Sequence, residues 1–449
     1  MKFFSPRLLG VGMALAAIAI APAQAQSLVD LFSAAKDFDA SYRSARALHE
    51  ANQFKADQTR AQLLPTANLS LSSTTSQIDS NPDVKSSGAL VGLRGYRTHV
   101  ATLTATQPLY RPANLATYLQ GYKLLSQSAV AYQVAEQELL LRVSQSYFDV
   151  LASQDSLAFV KAQKAAVSEQ LASAKRNFEV GTATITDTRE AQARYDLVIA
   201  QEIAAENDLR VKKLALDQLV GIQNTRPKPL KTKAEPKPVV PNDVEAWVQQ
   251  TEENHPSILS NKLALEISAL EIDKAKAGHK PTLDLQASYG GTRNDAGTTL
   301  NVLGSNVMNT SMALVMNVPI FAGFATENRI RETVSLQDKA RNDLEAARRN
   351  AAQATRAAYF GLISGMGQVK ALEAAETSSQ VALDANKLGY SVGVRINIDV
   401  LNSQSQLYQT KRDLAKARYD VLVGELKLRQ ANGTLTPASL DEVNQLLEP

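Results

Sequence analysis

The chain of 449 residues contains no cysteine. That excludes disulfides, thiolate metal sites, a cysteine nucleophile and a lipidated amino-terminal cysteine. Charge of either sign is also missing in excess: 48 Lys and Arg stand against 45 Asp and Glu. If Lys2 and Arg7 leave with an amino-terminal leader, the balance is closer still, so charge gives no argument for nucleic acid as a partner. Only four histidines occur, His49, His99, His255 and His279. Their scatter lacks metal-ligand spacing, so no metal site is expected and structural or solvated roles are. No Gly-rich phosphate loop precedes a helix, and no cofactor is expected.

Long apolar runs are lacking too, apart from Leu8 to Ala21. That run follows Lys2 and Arg7 and ends at Ala23-Gln24-Ala25, small residues at the two positions a signal peptidase reads. Residues 1–25 therefore read as a signal peptide cleaved before Gln26, and the protein as exported. Beyond it no stretch of about 18 apolar residues appears, so no helix is expected to span a bilayer. A membrane location would require a barrel.

What the chain does have is a long internal repeat. Residues 147 to 221 recur without a gap as residues 359 to 433, at a constant offset of 212. Tyr147-Phe148 answers to Tyr359-Phe360, Leu171 to Leu383, Val180-Gly181 to Val392-Gly393, Asp187 to Asp399, Gln192 to Gln404 and Gly221 to Gly433. Two single breaks in register extend it backwards: Gln107 to Tyr110 matches Val318 to Phe321, and Pro65 to Leu69 matches Pro281 to Leu285. Each copy runs helix, Pro, strand, loop, strand, Pro and two helices. The division expected is a first repeat over 26–221, a basic Pro-rich linker over 222–241, a second repeat over 242–433 and a tail over 434–449. The linker, with Arg226-Pro227-Lys228-Pro229-Leu230-Lys231 and then Pro236, Lys237, Pro238 and Pro241, reads as extended, its charge serving solubility.

Four segments alternate like strands. Leu69 and Leu71 alternate with Asn68, Ser70 and Ser72; Ala101, Leu103 and Ala105 with Thr102, Thr104 and Thr106; Leu283, Leu285, Ala287 and Tyr289 with Asp284, Gln286 and Ser288. From Ser311 to Asn317 the pattern is weaker, because Ala313 and Val315 are apolar opposite Met312, Leu314 and Met316. With flanks, each segment reaches about ten residues, enough for a tilted strand to cross a bilayer. A soluble half-buried sheet produces the same alternation. Four strands cannot close a membrane barrel, and an open edge in hydrocarbon would leave backbone groups unsatisfied. If the strands span a membrane, several copies share one barrel, and two, three or four copies give eight, twelve or sixteen strands.

The remainder reads as unusually long helix. From Ala113 to Val180 there is no proline and one glycine, Gly121, with apolar residues at steps of three and four. At 1.5 Å per residue this is a rod of roughly 100 Å. Phe324 to Tyr390 is likewise free of proline. Gly suits the left-handed position that ends a helix, so each copy is expected to fold as a long helical hairpin turning at Val180-Gly181 or Val392-Gly393.

Gly389-Tyr390-Ser391-Val392-Gly393 has the spacing of a hydrolase nucleophile elbow. That motif needs a preceding strand and a later histidine; a helix precedes it here, and all four histidines lie upstream. Enzyme chemistry is therefore not expected.

The duplicated strand-strand-helix-helix unit, the leader and above all Gly389-Tyr390-Ser391-Val392-Gly393-Val394-Arg395-Ile396-Asn397-Ile398-Asp399-Val400-Leu401 resemble the TolC family of outer-membrane channel tunnels. The resemblance implies a mixed α and β membrane protein: a homotrimer with a twelve-stranded barrel, four strands per chain, in outer-membrane lipid, continuous with a long α-helical coiled-coil barrel in the periplasm. It implies an exit duct for efflux or type I secretion, working with a periplasmic adaptor and an inner-membrane transporter. It places a periplasmic gate at Thr186, Asp187, Tyr390, Arg395, Asp399 and Asn402, and adaptor docking at the tips Val180, Gly181, Thr182, Val392, Gly393 and Val394.

Three symmetry-related copies of Asp399 would form a ring of like charges that favours cations. Where the family often carries a second acid three residues on, this chain has Asn402, so weaker cation block is expected. Helix N-capping is the competing role for Asp187 and Asp399. The two copies differ at the tip: Arg395 corresponds to Ala183, Tyr390 to Phe178 and Asn397 to Ile185. The alternative to a duct is an exported coiled-coil structural protein of the envelope without a pore.

Overall fold

The computed structural model describes residues 26–80, 92–231, 238–295 and 304–448. The expected signal peptide lies outside them, as does the stretch of the linker with Pro236 and Lys237. The chain opens with α1 (Leu28–Phe38) and α2 (Ala40–Ala61), then β1 (Thr66–Ser80) and β2 (Gly92–Tyr110), then α3 (Pro112–Glu179) and α4 (Ile185–Val220). After the linker come α5 (Val244–Asn254) and α6 (Pro256–Lys276), a 3-10 turn at Ala277–His279, β3 (Thr282–Asn294) and β4 (Ser305–Asn317). Then follow α7 (Ala325–Ser391), α8 (Asn397–Ala431) and α9 (Ala438–Asn444).

Local chemistry sets the boundaries. Ser27 and Asp30 form a capping box at α1, with Asp30 N donating to Ser27 Oγ at 3.2 Å. Asp39 caps α2 through Tyr42 N at 2.7 Å. Pro112 and Pro256 occupy the first turns of α3 and α6, where a missing N–H costs nothing. His255 caps α6 by accepting from Ser257 N at 3.2 Å, and burial lowers its pKa, keeping the ring neutral as an acceptor should be.

One helix was expected ahead of each strand pair; a short second one is present in each place, and α9 lies in the tail. α1 carries Leu28, Leu31, Phe32 and Ala35 on one stripe, all buried. That stripe packs with Leu139, Leu140, Val143, Tyr147 and Phe148 of α3, Leu216 and Val220 of α4, Leu422 and Leu426 of α8, and Leu440 and Val443 of α9. This waist is the largest apolar core. A fully buried Leu or Phe contributes about 1.5–3 kcal/mol, so the short helices are held by burial rather than by propensity.

The linker is extended, yet the part described is anchored rather than free. Gln26 bridges Pro227, Leu230 bridges Leu447, and Tyr147 Oη donates to Lys228 O at 3.0 Å. At the far end, Tyr359 Oη donates to Asn242 Oδ1 at 3.0 Å and Trp247 Nε1 to Pro241 O at 2.9 Å. The recurring tyrosine thus holds the linker near its start and the chain just past its end. In each Tyr-Phe pair the rings meet edge to face, with centroids 5.5 and 5.6 Å apart.

The strands form one antiparallel sheet in the order β1-β2-β3-β4. Register resolves the weak alternation of β4. Leu69 pairs Leu103, Leu103 pairs Tyr289, and Ala287, Leu285 and Leu283 pair Met312, Leu314 and Met316. Directly opposed residues share a face, so these make one apolar surface, while Ala313 and Val315 fall on the polar side with Gln286 and Asp284. That apolar surface is uncovered: Leu71 is 71% and Met312 74% exposed. The strands have 15, 19, 13 and 13 residues, longer than the ten or so expected, so they run past the thickness a tilted strand must cross. Below the sheet, Arg111 grips Asp284 in two parallel bonds, Nε to Oδ1 at 2.8 Å and Nη2 to Oδ2 at 2.6 Å. Among the described residues no helix is long and apolar enough to cross a membrane.

Candidate pore gate at the hairpin tips

α3 and α4 form one hairpin, α7 and α8 the other. At the first tip Gly181 takes φ +79°, and Thr182 N donates back to Asn177 O at 2.8 Å; at the second Gly393 takes φ +78°, and Val394 N donates to Gly389 O at 2.9 Å. Both are helix ends closed by a left-handed glycine. Val180, Val392 and Val394 project into solvent, Val394 being 77% exposed. Thr182 folds its hydroxyl back onto Asn177 O at 3.1 Å.

Beyond the turns the copies diverge. Thr184 caps α4, and Asp187 completes a capping box: its N–H donates to Thr184 Oγ1 at 3.2 Å, and its carboxylate accepts from Thr184 N at 2.9 Å and Oγ1 at 2.7 Å. Capping therefore accounts for Asp187. It does not account for Asp399, because α8 is preceded by Ile396, which has no capping side chain. The Asp399 carboxylate turns instead to Arg395, with Nη1 to Oδ2 at 3.8 Å. The stem of Arg395 lies over Gly389, where an added methyl would sit 2.7 Å from its Cγ. Gly389 thus seats Arg395. Ser391 Oγ donates to Leu388 O at 2.7 Å, a helix back-bond and not a poised nucleophile.

Tyr390 packs with Leu383, Val400 and Leu407 and accepts from Asn177 Nδ2 at 3.2 Å. Asn402 accepts from Arg194 Nη2 at 2.8 Å, so a cation of α4 faces the position where a second acid was missing. Thr186 stands exposed on the first turn of α4. Asn177, Gln170 and Arg194, to which Tyr390, Asn397 and Asn402 are bonded, were not singled out in the sequence. Gln170 and Arg194 sit inside their helices and Asn177 in the last turn of α3, and each finds its partner more than 200 residues away. The one available signal was a polar residue at 397 where the other copy has an apolar one.

The chain has relatives among known proteins. The profile of the family described as outer membrane efflux protein matches residues 31–222 and 247–434. The outer membrane protein TolC of Vibrio cholerae is 31% identical over 94% of this chain and 93% of its own length. The alkaline protease secretion protein AprF of Pseudomonas aeruginosa is 30% identical over 93% and 87%. The outer membrane protein VceC of Vibrio cholerae superposes with a TM-score of 0.74 at 17% identity, covering 90% of this chain and 96% of its own. Their common family is one of channels, not of enzymes. This chain belongs to the outer membrane efflux protein family.

Proposed function

We propose that this outer-membrane exit duct for efflux and type I secretion is built from three copies of the chain. Their twelve strands close a barrel and their helical hairpins line a tunnel of roughly 100 Å through the periplasm. The carrying observation is the four-stranded sheet, apolar on one uncovered face and unpaired at both β1 and β4, standing over helices of 68 and 67 residues. Such a sheet is at home only when its edges meet other copies and its apolar face meets lipid. The recurrence of the element order on either side of the linker reflects duplication of one unit, so three chains supply six hairpins.

In this reading the tips close the duct toward the periplasm. Tyr390, Arg395, Asp399 and Asn402 of the second hairpin and Thr186 and Asp187 of the first form the gate. The exposed Val180, Gly181, Thr182, Val392, Gly393 and Val394 meet the periplasmic adaptor that couples the duct to an inner-membrane transporter. The three Asp399 carboxylates form a modest cation filter, tempered by Arg395 and Arg194.

Outer-membrane fractionation with gel migration before and after heating tests the assembly. A barrel shared by three chains gives a detergent-resistant species that falls to single-chain mobility on boiling. A protein that migrates as a monomer without heating and stays in the soluble periplasmic fraction is the pore-free envelope rod instead.

A further inference from the structure

Behind the exposed tips, α8 is fastened to the first hairpin by a neutral side chain. Asn397, the first residue of α8, has 0% exposure. Its Nδ2 donates to Asp187 O in the first turn of α4 at 3.1 Å, and its Oδ1 accepts from Gln170 Nε2 of α3 at 2.6 Å. One amide therefore ties three helices together. Next to it Ile398 and, one turn further along α8, Leu401 join Val167, Leu171, Ala174 and Ala191 in an apolar cluster. In such surroundings an amide bonded through both its nitrogen and its oxygen specifies a single arrangement, because any slip of α8 leaves a buried donor and a buried acceptor unpaired. The corresponding residue of the first copy, Ile185, is exposed, so the amide belongs to the second copy alone.

We propose that Asn397 is the bolt of the gate. As a positioning residue, it acts through Gln170 and the Asp187 carbonyl to hold the start of α8, and with it Arg395 and Asp399, against the first hairpin in the closed state. Its two hydrogen bonds break as the duct opens. This rests on the reading of the tips as a gate. The exposed Arg395–Asp399 pair at 3.8 Å is screened by salt, whereas a buried pair of amide hydrogen bonds is not. The amide therefore sets the resting opening probability, and the ion pair sets its response to ionic strength.

The test is planar-bilayer recording of the full-length channel at low and high salt, comparing Asn397→Ile, Gln170→Leu and Arg395→Ala with the parent. Asn397→Ile introduces the residue of the other copy. Asn397→Ile and Gln170→Leu are expected to raise opening probability about tenfold and to make the remaining closure depend on salt, with heat resistance of the assembly retained. Unchanged opening in both variants overturns the bolt. If Asn397→Ile fails to assemble, the absence of native cysteine permits a second route. The double variant Gln170→Cys/Asn397→Cys, bridged by a short bis-maleimide, should stay closed, while the same variant capped with a monofunctional maleimide opens. A bridged channel that opens like the capped one overturns the proposal. Arg395→Ala separates the two readings. If it and both amide variants are silent, the gate reading itself fails; if it opens the channel while they are silent, only the bolt does.

Discussion

Tyr147 and Tyr359 occupy corresponding positions in the two copies, yet removing their hydroxyls should have unequal effects. Tyr147 is fully buried, and its hydroxyl donates to Lys228 O at 3.0 Å and lies 3.3 Å from Gln26 O. Tyr147→Phe leaves the carbonyl of half-buried Lys228 facing a ring edge, and an acceptor shielded from water and left unpaired costs about 1–3 kcal/mol. Tyr359 donates to the side chain of Asn242, which is exposed, so water replaces the lost donor and Tyr359→Phe costs about 0.5 kcal/mol or less. The assay is amide hydrogen exchange across the two ends of the linker, because it reads local opening without requiring the whole assembly to melt. Exchange of the Lys228 amide, which donates to Gln26 O at 3.2 Å, should accelerate about 5- to 150-fold in Tyr147→Phe. Segment 238–244 should change by no more than about twofold in Tyr359→Phe. Equal acceleration in the two variants, or none at Lys228, refutes the claim that burial of the acceptor decides the outcome.

Four further outcomes are expected. Burial raises the pKa of Asp155 above its ordinary range, partly offset by the Tyr419 hydroxyl that donates to it at 2.7 Å. A raised carboxyl favours the fold in acid, in full below about pH 4, and that contribution is lost as pH rises through the folded pKa. Asp155→Asn should therefore raise the melting temperature at pH 7 and have no effect near pH 4; a lower melting temperature at pH 7 contradicts this. Arg111→Leu strands the Asp284 carboxylate, whose side chain is 9% exposed, and should destabilise the assembly by about 3 kcal/mol, measured by the temperature at which it dissociates. Adding Asp284→Leu should restore most of that loss, and failure to do so argues against a desolvated charge. Gly393→Ala meets no neighbouring atom but forces an alanine to φ +78°, costing about 1–2 kcal/mol, visible as faster exchange at the second tip; an unchanged rate means the turn has another conformation open to it. Block by multivalent cations should be weak and weaker still in Asp399→Ala, and strong block indifferent to that substitution rules out the carboxylate as its seat.

What was legible in the sequence follows the range of the interactions. The long helices and the four strands announce themselves through periodicity, a property of neighbours in the chain. Gly181 and Gly393 mark helix ends for the same local reason. β4 was ambiguous because its alternation is apolar on both faces, and only pairing with β3 assigns Met312, Leu314 and Met316 to the side of Leu285. α1 carries a readable stripe at Leu28, Leu31, Phe32 and Ala35, but eleven residues alone do not hold a helix, so its existence depends on α3. The linker looked solvated because Pro and Lys dominate it, while its anchors, Tyr147 and Tyr359, lie 81 and 117 residues away. At the tip, Arg395, Asp399 and Tyr390 stand out by motif. Gln170, Arg194 and Asn177 do not, since an amide or guanidinium on a helix reads as solvated until its distant partner is known.

The bare edges of β1 and β4 bear on the life of the protein before it reaches its membrane. A lone protomer displays two rows of unpaired peptide groups and a greasy sheet, and any extended segment it meets can dock there. In the proposed trimer, β4 of one chain meets β1 of the next, so the legitimate occupant of each edge is a sister chain that has to arrive before an unrelated strand does. Burial of the sheet in lipid then cannot run ahead of association, because an open edge is not tolerated there. Insertion and trimerisation become one event whose rate depends on how many protomers are waiting. A shortage of protomers would appear as aggregation rather than as half-built channels.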